Sequence, residues 1–138
     1  MKDPKVKFRE AKIKNFTEAL LRLNQALDEP DSNPLKIDGC VKRFEFTYET
    51  CKKTIEAVMM DLGFWMAGNP REALKEAGLQ GFISSLELWD KMREDRNDTT
   101  HEYNKEKAAE IYSRIPTYAA EFELTLEKLT TGARKTNS

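Results

Sequence analysis

Metal-ligating residues are scarce in this chain. It has one histidine, His101, and two cysteines, Cys40 and Cys51, among 138 residues. Two thiols and one imidazole do not fill a zinc site without further ligands, so neither a metal nor another cofactor is expected. Both cysteines fall where the apolar face of a helix should lie, which reads as buried free thiols. No apolar run reaches the length of a membrane span, and the charged N-terminus has no apolar core of a signal peptide. The expected compartment is therefore the cytoplasm, with no membrane association. An excess of one charge is missing too: Lys plus Arg number 23 against 24 Asp plus Glu. No global basic field advertises nucleic acid, so any such contact needs a local patch. The densest basic stretch, Lys2, Lys5, Lys7, Arg9, Lys12 and Lys14, reads as a solvated arm and helix face.

Strand signals are absent as well, since no segment sustains apolar–polar alternation. What is present is helical spacing, on a chain 39% hydrophobic and 34% charged, long enough to bury a core as one domain. Ile13, Phe16, Leu20, Leu23 and Leu27 form a first stripe with steps of 3 or 4. "EPDSNP" (Glu29 to Pro34) breaks the chain. Val41, Phe44, Tyr48, Cys51, Ile55, Val58 and Leu62 form a second stripe, ended by Gly63 and Gly68. "NPRE" restarts a helix with Asn69 as cap, Pro70 in its first turn and Glu72 at capping-box spacing. Gly78 and Gly81 bracket its end. "SSLE" predicts a fourth helix capped by Ser84, with Glu87 three residues on and Leu88, Trp89 and Met92 on its apolar side. A fifth helix begins near Asn104 and carries Ile111, Ile115, Tyr118, Phe122, Leu126 and Leu129. Pro116 should kink it without ending it. The predicted fold is an all-α, mostly up-and-down bundle of about five helices. It occupies residues 1–138 as a single domain, with a core of about 8–130 and a frayed C-terminal tail, "TTGARKTNS".

One segment resists the helical pattern. "RNDTTHEY" (Arg96 to Tyr103) holds the only histidine among weak helix formers. Five residues turn an ideal helix by ~140°, so Arg96 and His101 share no face of a straight helix, whereas Asn97 and His101 do. A break around Asp98 to Thr100 would bring Arg96 and His101 together, and Thr99 and Glu102 have capping-box spacing for a new turn. A guanidinium forks onto phosphate oxygens and stabilises charge built up in a transition state. Imidazole moves protons near neutral pH. Such a pair suits metal-independent RNA cleavage. The same residues also fit a helix-ending arginine in salt bridges and a histidine capping a turn.

Three stretches, "RFEFTYE" (Arg43 to Glu49), "NPREALKEAG" (Asn69 to Gly78) and "DRNDTTHEYN" (Asp95 to Asn104), occur in an order that resembles a known family. These are the nucleotidyltransferase substrate-binding proteins, helical partners of minimal nucleotidyltransferases within the HEPN superfamily, which includes the HepT toxins. The resemblance spans roughly residues 8 to 130 and implies a HEPN-like helical bundle, a homodimer, and Arg-x4-His motifs meeting near the dimer interface. The matching positions are Arg96 and His101, with Asn97 supporting. Tyr103 matches the tyrosine that the partner nucleotidyltransferase adenylylates in toxin–antitoxin members. Arg43 and Glu49 are candidates to line the site, or to form a solvated ion pair. This sequence departs from the pattern at Lys52, where relatives usually carry tryptophan, and in the extra glycine of "EAGLQGFI".

No Gly-Ser followed by paired aspartates is present, so nucleotide transfer itself is assigned to a separate chain. Two readings remain open. In one, the chain is a HepT-like ribonuclease toxin in which His101 is acid or base, Arg96 stabilises phosphate charge, and Tyr103 is the off-switch. In the other, it is a non-catalytic subunit whose same residues hold a nucleotide phosphate for the nucleotidyltransferase.

Overall fold

The computed structural model describes residues 3–101 and 103–137, with side chains described through Gly132. Among these residues the chain forms five helices and no strand: α1 (Pro4–Leu27), α2 (Lys36–Asp61), α3 (Pro70–Leu79), α4 (Leu86–His101) and α5 (Lys105–Asn137). The order of cross-helix contacts fixes the directions. Thr54 and Thr47 of α2 donate to the Lys12 and Ala19 carbonyls of α1, at 3.0 and 3.2 Å. Sequence numbers thus fall on one helix as they rise on the other, so the two are antiparallel. The pairs Trp89–Glu121 and Asp95–Arg114 set α4 antiparallel to α5 in the same way. Four long helices therefore alternate in direction, with short α3 in the connection between α2 and α4.

The expected stripes supply the core. Phe16, Leu20 and Leu23 of α1, Phe44, Cys51, Ile55 and Val58 of α2, and Ile111, Ile115 and Phe122 of α5 are buried. Aromatic packing ties the helices together: Phe44 stacks on Tyr118 at 5.2 Å, and Trp89 meets Phe122 edge-on at 5.9 Å. Cys40 and Cys51 are free and buried, and burial, with Glu121 adding to it, pushes the Cys51 thiol well up.

Helix ends follow local chemistry. Gly63 and Gly81 adopt positive φ of 80° and 82°, which an L side chain resists. After α2, Phe64 N–H returns to the Met59 carbonyl at 2.9 Å; after α3, Phe82 N–H returns to Ala77 at 2.8 Å. Both are left-handed C-terminal caps that satisfy orphan carbonyls. Asn69 accepts from Arg71 N–H at 3.0 Å, capping α3 as expected, and Asn104 accepts from Lys107 N–H at 2.8 Å, capping α5.

Four expectations need correction. The α4 cap is Ser85, whose hydroxyl accepts from Leu88 N–H at 3.1 Å. Ser84 instead donates to buried Glu121, through N–H at 2.9 Å and hydroxyl at 2.5 Å, and Trp89 Nε1 donates to the same carboxylate at 2.8 Å. Arg9 is not part of a solvated arm, because it is 2% exposed and paired with Asp61 at 2.7 Å. Lys5, Lys7 and Lys14 are exposed, and Lys2 lies outside the described residues. The expected tail is helical: α5 runs to Asn137, Thr130 and Thr131 bond back to carbonyls four residues earlier, and Gly132 packs on the Phe82 ring. Pro116 lies inside α5 without ending it. The fourth correction concerns α4 and bears on the site.

Candidate functional site

Helix α4 does not break at Asp98 to Thr100. It continues through His101, and the corner falls between there and the Asn104 cap of α5. Weak helix formers stay helical because neighbouring helices hold them, tertiary contact overriding propensity. Thr99 donates to the Arg96 carbonyl at 2.6 Å and to the Glu45 carboxylate on α2. Asp98 pairs with Lys107 at 3.5 Å across the corner. The capping box expected of Thr99 and Glu102 is not used, since Thr99 is inside the helix; Glu102 lies outside the described residues.

The strongest anchor precedes Arg96 by one residue. Asp95 is fully buried and accepts from Arg114 Nε and Nη2, each at 2.8 Å, and from the Tyr118 hydroxyl at 2.5 Å. Burial alone would push its carboxyl up. Hydrogen bonds from Arg114 and Tyr118, with the Arg114 charge, outweigh that, and the net shift is downward. Pinning Asp95 inward fixes the rotation of α4, so Arg96 turns outward toward α2.

There Arg96 Nε donates to Glu49 at 2.8 Å, and its Nη1 reaches Thr100 Oγ1 at 3.5 Å. Glu49 therefore does stand beside Arg96. Arg43 does not: it donates to the Arg22 carbonyl at 2.7 Å on the α1 side of α2. Arg96 and Asn97 border a cavity of about 300 Å³ between α2, the start of α3 and α4, also lined by Glu49, Lys52, Arg71 and Arg93. Lys52, the position of departure, is half-buried on its wall. Burial and then Glu49 push the Tyr48 phenol on this wall up to about 12, while Arg93 and Arg96 pull the other way.

His101 lies elsewhere. Its side chain is exposed and borders a shallow depression with Tyr103, Asn104, Glu106, Lys107 and Glu110. A single chain thus keeps Arg96 and His101 on different surfaces, as five residues of unbroken helix require. Tyr103 is 42% exposed and donates to Asp38 Oδ1 at 2.7 Å. Burial, then the bond to Asp38 and its charge, push the phenol up to about 12.

Sequence reading missed Asp38, Asp95, Arg71 and Arg93. Arg93 had a signal, since Asp90, Arg93, Arg96 and Asn97 follow steps of three and four and so share one helical face. Asp38 and Arg71 reach their sites only through the packing of α2 and α3 on α4.

The family model for nucleotidyltransferase substrate binding protein like sequences matches residues 11–131. A probable ribonuclease HepT of Haemophilus influenzae is 32% identical over 100 residues, covering 67% of this chain and 66% of that protein. The match thus spans just under two thirds of that relative. A Thermus thermophilus protein of known crystal structure superposes with a TM-score of 0.74 at 28% identity, covering 83% of this chain and 98% of that one. A second solved protein, from Haemophilus influenzae, is described as the fold of a substrate binding domain of a nucleotidyltransferase. It aligns with a TM-score of 0.65 at 26% identity, covering 91% of this chain and 98% of its own. No helix among the described residues is long and apolar enough to cross a membrane.

Proposed function

Since the chain belongs to the nucleotidyltransferase substrate binding protein like family, we propose that it is the helical partner of a separately encoded minimal nucleotidyltransferase and a metal-independent, HepT-like ribonuclease of a cytoplasmic toxin–antitoxin pair. The observation that carries the reading is the Arg96 guanidinium, held by Glu49 beside a cavity, one and a half turns before the exposed His101. Because one chain separates these groups, the active form is a homodimer whose two copies bring Arg96 of one to His101 of the other.

The chemistry is transphosphorylation. A ribose 2′-oxygen attacks the adjacent phosphorus as its proton leaves, the bond to the 5′-oxygen breaks, and that oxygen takes up a proton. The products are a 2′,3′-cyclic phosphate and a free 5′-hydroxyl. His101 moves the proton, and Arg96 stabilises charge on the non-bridging oxygens. Tyr103 is the off-switch. Its oxygen attacks the α-phosphorus of ATP on the partner enzyme, pyrophosphate leaves, and Asp38, already accepting from the phenol, stands where the proton goes. The added AMP repels and occludes RNA phosphate near His101.

The test is cleavage of single-stranded RNA by purified protein in chelator. Wild type should produce cyclic-phosphate ends, and Arg96→Ala and His101→Ala should each lose at least a hundredfold in rate. Intact RNA with folded wild-type protein would favour the second reading, a non-catalytic nucleotide-binding subunit. The cationic cavity beside Arg96 is the observation that supports that alternative, because it does not need His101.

A further inference from the structure

The cavity between α2, α3 and α4 carries charges that the cleavage reading leaves unused. Its wall holds Lys52, Arg71, Arg93 and Arg96 against only two carboxylates, Glu49 and Asp90. The chain as a whole has a formal charge of −1, so this excess is local. Two of the arginines are already fixed. Arg71 forks onto Asp90, with Nη2 at 3.1 Å from Oδ2, and Arg96 is held by Glu49. Lys52 and Arg93 make no hydrogen bond or ion pair among the described residues. They stand on facing helices, α2 and α4, with the cavity between them. Pro70 and Leu74 of α3 add apolar surface, and Asn97, which makes no side-chain hydrogen bond among the described residues, also lines it.

We propose that this cavity is a nucleoside-phosphate site in which Lys52 and Arg93 grip the phosphate. Arg71 and Arg96, tethered by carboxylates, form a rigid cationic rim around them, and Leu74, Pro70 and Asn97 receive the base. The volume of about 300 Å³ fits one nucleotide rather than a longer segment. The lining combines cations for a phosphate with the apolar Pro70 and Leu74 and the Asn97 amide, the kinds of group that a nucleotide's phosphate and base require. His101 does not border the cavity, so the site rests on the second, nucleotide-binding reading, which it deepens, and does not depend on cleavage.

Two probes distinguish a free nucleotide from a phosphodiester chain: ATP in chelator, measured by calorimetry, and a fluorescein-labelled single-stranded RNA octamer, measured by anisotropy. The variant is Lys52→Glu with Arg93→Glu. The control is Lys53→Glu with Lys91→Glu, which changes net charge equally on the same two helices but at exposed positions off the cavity wall. The site variant should raise Kd at least tenfold for ATP, RNA or both, with the control within threefold of wild type. For RNA the slope of log K against log salt should also fall by about 0.7, the loss of one single-strand phosphate contact. The milder Lys52→Gln with Arg93→Gln should weaken binding in the same direction. A response to ATP alone marks the free nucleotide as ligand, and a response to RNA alone marks the chain. Equal weakening by site and control variants, or no wild-type binding of either probe below 1 mM, overturns the proposal.

Discussion

Replacing Asp95 by asparagine tests how α4 is held in the rotation that aims Arg96. The carboxylate accepts three hydrogen bonds, two from Arg114 and one from Tyr118. Asparagine keeps one oxygen but turns an NH2 toward guanidinium donors and removes the negative charge. A charge-assisted hydrogen bond contributes about 1.5–3 kcal/mol, and breaking a buried pair costs about 3–5 kcal/mol. The Arg114 side chain is 31% exposed, so water screens part of its stranded charge, and we expect a loss of about 2–3 kcal/mol at pH 7. The pH dependence has a definite sign. The folded Asp95 carboxyl titrates below its ordinary value of 3.8, so its contribution is fully present above about pH 5. It is lost as pH falls through the folded value, where the unfolded carboxyl already binds its proton. Urea unfolding of both proteins at pH 7 and pH 3 should therefore show a gap that narrows in acid. Arg114→Gln added to Asp95→Asn should cost much less than the sum of the single changes. A loss below about 1 kcal/mol at pH 7, or a gap unchanged at pH 3, would refute the anchoring role.

Three other outcomes are expected. Glu121→Ala strands the Trp89 Nε1–H and the Ser84 N–H, and should cost about 2–4 kcal/mol with a red shift in Trp89 emission; near-neutral stability by urea unfolding would contradict it. Gly132→Ala gains about 1 kcal/mol of helix propensity, but its Cβ would lie 2.8 Å from the Phe82 ring. Net thermal destabilisation should follow and be relieved by Phe82→Ala; stabilisation of the single variant counts against the packing of α5 on Phe82. Incubation with the partner nucleotidyltransferase and ATP should add AMP at Tyr103 by mass spectrometry, at least tenfold more slowly in Asp38→Asn. Addition at another residue sinks the off-switch, and an unchanged rate removes Asp38 from it.

Periodicity carried most of the fold, because a residue such as Phe44 or Ile115 is buried by its own helix's phase. Caps were legible where one polar residue stood alone, as at Asn69. They were ambiguous where two hydroxyls were adjacent: Ser84 and Ser85 differ only in that Glu121, far along the chain, claims the first. The same holds for charges. Helical phase sets Asp95, three residues after Met92, on the buried side of α4 and Glu94 off it, but its partner Arg114 lies on another helix and is not marked locally. In "RNDTTHEY" propensity argued for a break, but Thr99 is tied to Glu45, fifty-four residues upstream. That long-range bond keeps α4 straight, and the straight helix is what separates Arg96 from His101.

The separation leads to the most direct test. If two copies each supply half of one site, Arg96→Ala and His101→Ala proteins should be inactive alone and complement each other when mixed and allowed to exchange. Random exchange at equal concentration makes half of the dimers mixed, and by two-fold symmetry each mixed dimer keeps one intact site of two. RNA cleavage in chelator should then proceed at about a quarter of the wild-type rate. A mixture as inactive as its components, under conditions where exchange is complete and wild type cleaves, would contradict it.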